Sequence, residues 1–478
     1  MKLYPTIGLE THAELMTESK LFCSCSARFG GGENEHCCIG CSGFPGALPA
    51  LNKKALELIV RAGFSFNCEI ARFTKWERKN YFYPDLPAAY QVSQMERPVC
   101  AGGFLEINVS GEKKTIRLNR IHLEEDAGKL THEGNRSFAD YNRTGVPLIE
   151  IVTEPDFHSA DEVVAYVEKL RQILQYADIC DGKMEQGSLR CDVNISLATI
   201  ENTQAGKLGV RTEIKNLNSI KAIGRAIQAE TERQTDIIES GGTVVQQTLR
   251  FNDANGEITP MRNKENAHDY RYFPDPDIPP VVLTEEELKS FKAALPELPE
   301  VRMSRYTAEF GLSPNDAAII LGDKNVSDFY DDTVKIYNSP KTLAGFIIVE
   351  LLRRVNLGEA NMKSLSFTAD DFAELQRFVD EGKVNRDIRK DILRDMLESG
   401  KSPVQICDEK NLWIKEDAGA VEAVIDKIMA ANPAAVEQYK NGEIKVFGFL
   451  MGQANKELKG SAAPATVKNM LEQKLKKA

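Results

Sequence analysis

Residues 274–284 read PDPDIPPVVLT, and a second proline-rich stretch, LPELPE, follows at 295–300. Proline lacks a backbone N–H and has a fixed φ, so this density of it favours extended linker over helix or central strand. On the N-terminal side, short β-type runs such as GFLEINV (103–109) and KTIRLNRIHL (114–123) alternate with turn residues. On the C-terminal side the apolar spacing becomes helical, as in TLAGFIIVELLRRV (342–355) and DFAELQRFVDEGKV (371–384). The proline-rich stretch therefore separates two kinds of polypeptide, with a boundary expected around residue 292.

Within the first part, Ser159 and Glu162 stand at capping-box spacing. Val163, Val164, Val167, Leu170 and Leu174 follow at helical intervals, which predicts a helix with one face inward. A second helix is predicted after KNLNS (215–219), with Ile220, Ile223 and Ile227 on one side. After SPVQICDEKNLW (402–413) come two amphipathic patterns, then GFLMGQANKELKG (448–460) and VKNMLEQKLKK (467–477). The expected fold is an α+β N-terminal domain over 1–292, an all-α helical domain over 293–405, and a small α-helical tail domain over 406–478. There is no internal repeat and no low-complexity tract.

Bulk properties narrow the function. A 478-residue chain with 42% hydrophobic and 27% charged residues has the composition of an ordinary globular protein, too long for one small core. The start, MKLYPTIGLETHAEL, has no basic segment followed by an apolar one, and no uncharged apolar run reaches membrane-spanning length. A cytoplasmic protein with no membrane partner is expected, and its ten cysteines then point to metal binding or plain burial rather than disulfides. The net charge of −11 excludes wholesale wrapping by nucleic acid and gives no reason to expect DNA. RNA contact is expected to be local, with Lys456, Lys459, Lys468, Lys474, Lys476 and Lys477 the place to look, although charge alone reads more simply as a solvated helix face.

Two groups of residues have metal-ligand chemistry. Cys23-Ser24-Cys25 and Cys38-Ile39-Gly40-Cys41 flank a glycine-rich loop, and four thiolates suit a tetrahedral Zn²⁺. Cys37 and His36 beside Cys38 leave the fourth ligand open. Four sulfurs leave no coordination position for a reacting water, so the zinc is expected to be structural. Glu10 and His12 stand two apart in a β-like segment, which places both side chains on one strand face. HLEEDAGK (122–129) adds Glu124, Glu125 and Asp126, and PLIEIVTEPD (147–156) adds Glu150 and Glu154. Glu150 interrupts an apolar strand, where a lone carboxylate is costly unless a cation or donors offset it. Oxygen donors with one imidazole suit Mg²⁺ or Mn²⁺, and such an ion holds nucleotide phosphates. On spacing alone, surface carboxylates with one buried salt bridge are the plainer reading. The chain has no phosphate-loop, kinase or Rossmann motif, and no nucleophile elbow or Ser-Lys segment for cleaving amides.

IGLETHAEL (7–15), RKNYFYPDLP (78–87) with YQVSQ (90–94), HLEEDAGK, DYNRTGVPLIEIVTEPD (140–156), MEQGSLRCDVNISL (184–197), EIKNLNS (213–219), HDYRYFPDPDIPP (268–280) and KVFGFLMGQANKELKG (445–460) together resemble the B subunits of the glutamyl/aspartyl-tRNA amidotransferases, in the same order and across nearly the whole chain. An archaeal relative acting only on Glu-tRNA carries an inserted synthetase-like domain, for which there is no room here.

The resemblance implies a cradle-shaped first domain, a helical domain and a tRNA-binding tail. It implies that ATP phosphorylates the side-chain carboxylate of Glu-tRNA(Gln) or Asp-tRNA(Asn), which ammonia then attacks. Ammonia would come from glutamine on the amidase (A) partner, linked through a small (C) partner, in a heterotrimer. It also implies that Glu10, His12, Glu125 and Glu150 hold the catalytic Mg²⁺ (or Mn²⁺), with Glu124 in place of Glu125 if its strand faces the other way, and that Lys79 contacts phosphate. One departure is Ala88-Ala89, where the family often has lysine and glycine. The rival readings are a non-enzymatic, zinc-stabilised tRNA-binding protein and a free-standing amide hydrolase.

Overall fold

The computed structural model describes residues 3–261, 269–414, 418–440, 445–458, 462 and 464–477. They form two compact units, Met1–Pro299 and Glu300–Ala478. Lys459 lies outside the described residues, as does the side chain of Lys477.

The principal strands of the first unit are β1 (Leu3–Glu14), β2 (Glu77–Asn80), β3 (Tyr90–Ser93), β4 (Phe104–Val109), β5 (Glu112–Glu125), β6 (Pro147–Thr153), β7 (Leu189–Thr199), β8 (Thr212–Lys215), β9 (Thr248–Asn252), β10 (Glu257–Pro260) and β11 (Phe273–Pro274). The main sheet runs β10-β9-β8-β7-β1-β6-β5, then continues through the short strands Cys100–Ala101 and Glu69–Ile70, and β4 also pairs with β5. Its pairs are antiparallel except β8 with β9. A second sheet of three strands runs β11-β2-β3.

Side chains alternate across each strand, so the central strands are two-faced. Ile7, Leu9, Ile121, Leu123, Ile149, Ile151, Val193 and Ile195 make one face. They share a core with Val163, Val167, Leu170 and Leu174 of helix α1 (Ala160–Tyr176) and with Ile223 and Ile227 of helix α2 (Ile220–Glu239). Each such residue contributes roughly 1.5–3 kcal/mol when fully buried. The other face, with no apolar core to fill, carries Glu10, His12, His122, Glu124, Glu150 and Asp192. This division positions the site.

Helix α1 starts where its sequence predicts, with the Ser159 hydroxyl accepting the Glu162 N–H at 3.2 Å. The reciprocal half of the box is displaced by one residue, because the Glu162 carboxylate accepts the His158 N–H at 2.7 Å and pairs with Lys114. The first unit ends at Pro299 rather than near 292. Thr284 caps a helix, Glu285–Ala293, and Leu288, Phe291, Leu295 and Leu298 pack on the first unit's core.

The second unit is helical throughout its described residues. Stacked Phe346, Phe367 and Phe372 fill its first half, with Phe329 edge-on to Phe372. Helices α3 (Ala418–Ala431), α4 (Pro433–Lys440), α5 (Lys445–Leu458) and α6 (Pro464–Lys477) close on a core of their own, including Val421, Ile425, Leu450, Ala454, Leu471 and Leu475. Among the described residues no helix is long and apolar enough to cross a membrane.

Candidate active site

Register builds the polar face. His12 of β1 lies opposite Glu150 of β6, and Glu150 lies opposite His122 of β5. On the other side of β1, Glu10 lies opposite Asp192 of β7. Four strands thus deliver a row of carboxylates and imidazoles that are far apart in sequence.

The row contains two groups. His12, Glu124 and Glu150 bring their donor atoms within 4.8 Å of one another, and so do Glu10, Asp192 and Glu213. In the first group, His12 Nε2 is 3.7 Å from Glu124 Oε1 and 3.8 Å from Glu150 Oε2. Those distances exceed a hydrogen bond but fit two donors sharing one ion, since ligands each about 2.1 Å from Mg²⁺ are at most about 4.2 Å apart. In the second group Lys215 Nζ already neutralises the acids, at 2.5 Å from Asp192 and 2.7 Å from Glu213. The first group is therefore the better fit for a divalent cation.

His122 is the buried partner of this centre, with Nε2 3.0 Å from Glu150 and 3.5 Å from Glu124. Burial alone would lower its pKa, but the hydrogen bonds to Glu124 and Glu150 outweigh burial and push it up to about 9. Burial pushes the Glu150 carboxyl up, yet the His122 hydrogen bond and the nearby positive charges hold it well below the usual carboxylate range. Lys79 is one of those charges, and its ammonium stands 4.9 Å over the Tyr270 ring. Burial and the charge on Glu150 raise Glu10.

Two expectations change. Glu125 does not join the ion group, because adjacent residues of β5 point to opposite faces; Glu124 takes its place. Glu125 instead accepts the Val92 N–H at 3.0 Å, and burial pushes its carboxyl up to about 7. It lines a separate cavity of about 270 Å³ with Lys20, Cys41, Arg78, Thr144 and Asp275. Glu10 faces the same side as His12 but sits in the Asp192–Glu213 group. Residue-by-residue inspection missed His122, Asp192, Glu213 and Lys215. The signal for Asp192 was present in LRCDVNISL (189–197), where polar and apolar residues alternate strictly up to Ser196.

The cysteine cluster assembles as expected. Cys23, Cys25, Cys38 and Cys41 form one group, with Cys41 Sγ 3.9 Å from Cys38 Sγ and 4.0 Å from Cys25 Sγ. Four sulfurs each about 2.3 Å from zinc stand about 3.8 Å apart, so the donor set fits. Hydrogen bonding from Cys23, with the Cys38 N–H and the Lys20 ammonium, lowers the Cys41 thiol to about 4. Lys20 is fully buried, its Nζ 3.5 Å from Cys41 Sγ and 3.1 Å from the Tyr141 carbonyl. His36 and Cys37 stand outside the group. Ala89 adopts φ 64°, the left-handed region that favours glycine.

Residues 5–289 match the family model described as the GatB/GatE catalytic domain, and residues 328–475 match that of the GatB domain. The chain belongs to the GatB family. A relative from Carboxydothermus hydrogenoformans is 46% identical over 476 residues, 98% of each chain. One from Thermoanaerobacter pseudethanolicus is 46% identical over 478 residues, 100% of both. One from Brevibacillus brevis is 45% identical over 478 residues, 99% of each. All three bear the name of the B subunit of aspartyl/glutamyl-tRNA(Asn/Gln) amidotransferase. Kinship with this GatB group favours the enzymatic reading over a non-enzymatic RNA-binding protein.

Proposed function

We propose that this chain is the ATP-using, tRNA-handling subunit of an amidotransferase that makes Gln-tRNA(Gln) from Glu-tRNA(Gln), Asn-tRNA(Asn) from Asp-tRNA(Asn), or both. The observation that carries the reading is the row of His12, Glu124 and Glu150 with His122 behind it and Lys79 beside it. A carboxylate is a poor electrophile, so amidation requires activation as an acyl phosphate, and phosphoryl transfer depends mainly on positioning and charge neutralisation. His12, Glu124 and Glu150 would hold Mg²⁺ or Mn²⁺, with Glu10 beside them; the ion, when bound, neutralises and orients phosphate oxygens. Lys79 adds a positive charge facing the same carboxylates, suited to the transferring phosphoryl group. His122 keeps Glu150 ionised and oriented as a ligand. The chemistry balances as transfer of the ATP γ-phosphoryl to the side-chain carboxylate, followed by attack of ammonia on the acyl carbon and departure of phosphate.

Ammonia would come from glutamine on an amidase partner, with a small third protein linking the two. Zinc on the four cysteines would be structural. The tail, 406–478, would bind tRNA, using its exposed lysines, among them Lys456, Lys468 and Lys476. Lys474 contributes less, because it is held by Glu422 at 2.9 Å and Asp426 at 2.5 Å. Deleting the tail should weaken tRNA binding on the order of tenfold or more and flatten its salt dependence, measured by titration at several salt concentrations. The deciding test is co-purification with partner proteins, then ATP- and glutamine-dependent conversion of Glu-tRNA(Gln) and Asp-tRNA(Asn). A complex that converts neither, while still binding tRNA, refutes the reading.

A further inference from the structure

We propose that Tyr270, Arg271 and Tyr272 form a platform for the unpaired 3′ end of a tRNA at the edge of the carboxylate row. The inference rests on the amidotransferase reading above and adds to it a place for the substrate's terminal nucleotides.

The platform belongs to the same small sheet as Lys79, because the three residues lead directly into β11, which pairs with β2. Asn80 fixes it from below, donating its backbone N–H to the Tyr270 carbonyl at 3.0 Å and its side-chain amide to the Arg271 carbonyl at 2.9 Å. Tyr270 meets Tyr81 and Tyr272 edge-to-face, with ring centroids 5.9 and 6.0 Å apart. Arg271 takes φ 45°, a left-handed conformation that L side chains adopt rarely and that persists where surrounding bonds enforce it. The outcome is an exposed run of cation and rings, with Arg271 open to solvent, Tyr272 37% exposed and Phe273 43% exposed.

The small sheet that carries this run touches the carboxylate row. Ser93 of β3, the strand paired with β2 on its other side, donates its hydroxyl to Glu124 at 3.3 Å, and burial with the charges on Glu124 and Glu150 pushes the Tyr272 phenol up. Stacking rings interleaved with cations are the chemistry that holds single-stranded nucleic acid whatever its sequence. The aminoacyl group to be amidated hangs from the tRNA's 3′-terminal nucleotide, so that nucleotide must lie beside the carboxylates when the side chain is phosphorylated. The platform lies on the small sheet that meets Glu124.

The test uses the whole complex with ammonia as nitrogen donor. Tyr272→Leu should raise KM for aminoacyl-tRNA on the order of tenfold, the scale of one lost base–ring stack, and leave KM for ATP unchanged. Tyr272→Phe, which keeps the ring, should behave as wild type. In a binding competition without turnover, wild type should prefer uncharged tRNA with an intact 3′ end over the same tRNA trimmed of its terminal nucleotides, and Tyr272→Leu should lose most of that preference. Arg271→Gln should reduce the salt slope by about one phosphate contact. An undiminished preference in Tyr272→Leu overturns the platform. So does a rise in KM for ATP alone, which would assign the rings to the nucleotide base. If wild type converts no aminoacyl-tRNA, the amidotransferase reading fails, and the competition still judges the platform by itself.

Discussion

The cysteine loop and the carboxylate row are two candidate ion sites in one unit, and they are built in opposite ways. The four cysteines come from one short loop, shaped by local bonds such as Ser42 N–H to the Cys38 carbonyl at 3.0 Å and Gly43 N–H to the Gly40 carbonyl at 3.1 Å. The carboxylate row takes one or two residues from each of several strands and is assembled by sheet register. A local site depends on its own loop and a metal. A distributed site depends on the whole sheet and persists in shape when one ligand is neutralised. The two should therefore fail differently, one by losing structure and the other by losing chemistry.

The largest expected effect lies on the cysteine side. Purified wild type should carry about one zinc per chain, and Cys38→Ser should lose it and destabilise the N-terminal unit, as metal analysis and thermal unfolding will measure. A metal-free wild type, equally stable in chelator, breaks the contrast at once. On the carboxylate side, Glu150→Gln keeps the shape and removes the charge. With free ammonia, it should still fold and bind tRNA yet lose ATP-dependent amidation by on the order of a hundredfold or more. Glu124→Gln should match it. Should either variant fail only by unfolding, the row is structural after all.

How much of this was legible in the sequence follows from the same contrast. The cysteine group could be read directly, because its ligands are neighbours in the chain. Glu10, His12 and Glu150 could be picked out by strand parity and by the oddity of a carboxylate in an apolar strand. Choosing between Glu124 and Glu125 could not be settled, since a shift of one residue reverses a strand's faces and the phase of β5 there is set by its partner β6. His122, Asp192 and Glu213 acquire meaning only when register sets them beside Glu150 and Glu10. The α+β to helical transition was legible from periodicity, but the edge of the first unit was not. Prolines 296 and 299 follow a short helix whose apolar side chains still belong to the first core.

Two smaller predictions sharpen the picture. Glu125 has a folded-state pKa raised to about 7 from an ordinary 4.5. Its protonated form therefore adds stability that is fully present below about pH 4.5 and lost as the pH rises through 7. Relative to wild type, Glu125→Gln should gain thermal stability across that window and level off above it; a pH-independent difference would mean the carboxyl is not desolvated. Ala89→Gly should give the smallest effect, a gain of up to about 1 kcal/mol in denaturant unfolding. Relief of left-handed strain is partly offset by the entropy that glycine adds to the unfolded chain.

The central place of β1 in the sheet also dictates an order of events in time. It is the first segment to be synthesised, yet its neighbours are β6, ending at Thr153, and β7, ending at Thr199. At roughly 5–20 residues per second, the ribosome takes on the order of 10–40 s to supply the last of them. Until β6 is made, Ile7 and Leu9 have no sheet to enter and His12 has no Glu150 opposite it; until β7 is made, Glu10 has no Asp192. Pairings so distant in sequence are slow to form and leave apolar strands open to wrong partners. A message that stalls before Pro147 therefore yields a fragment in which β1 has neither of its sheet neighbours and His12 has no Glu150 beside it.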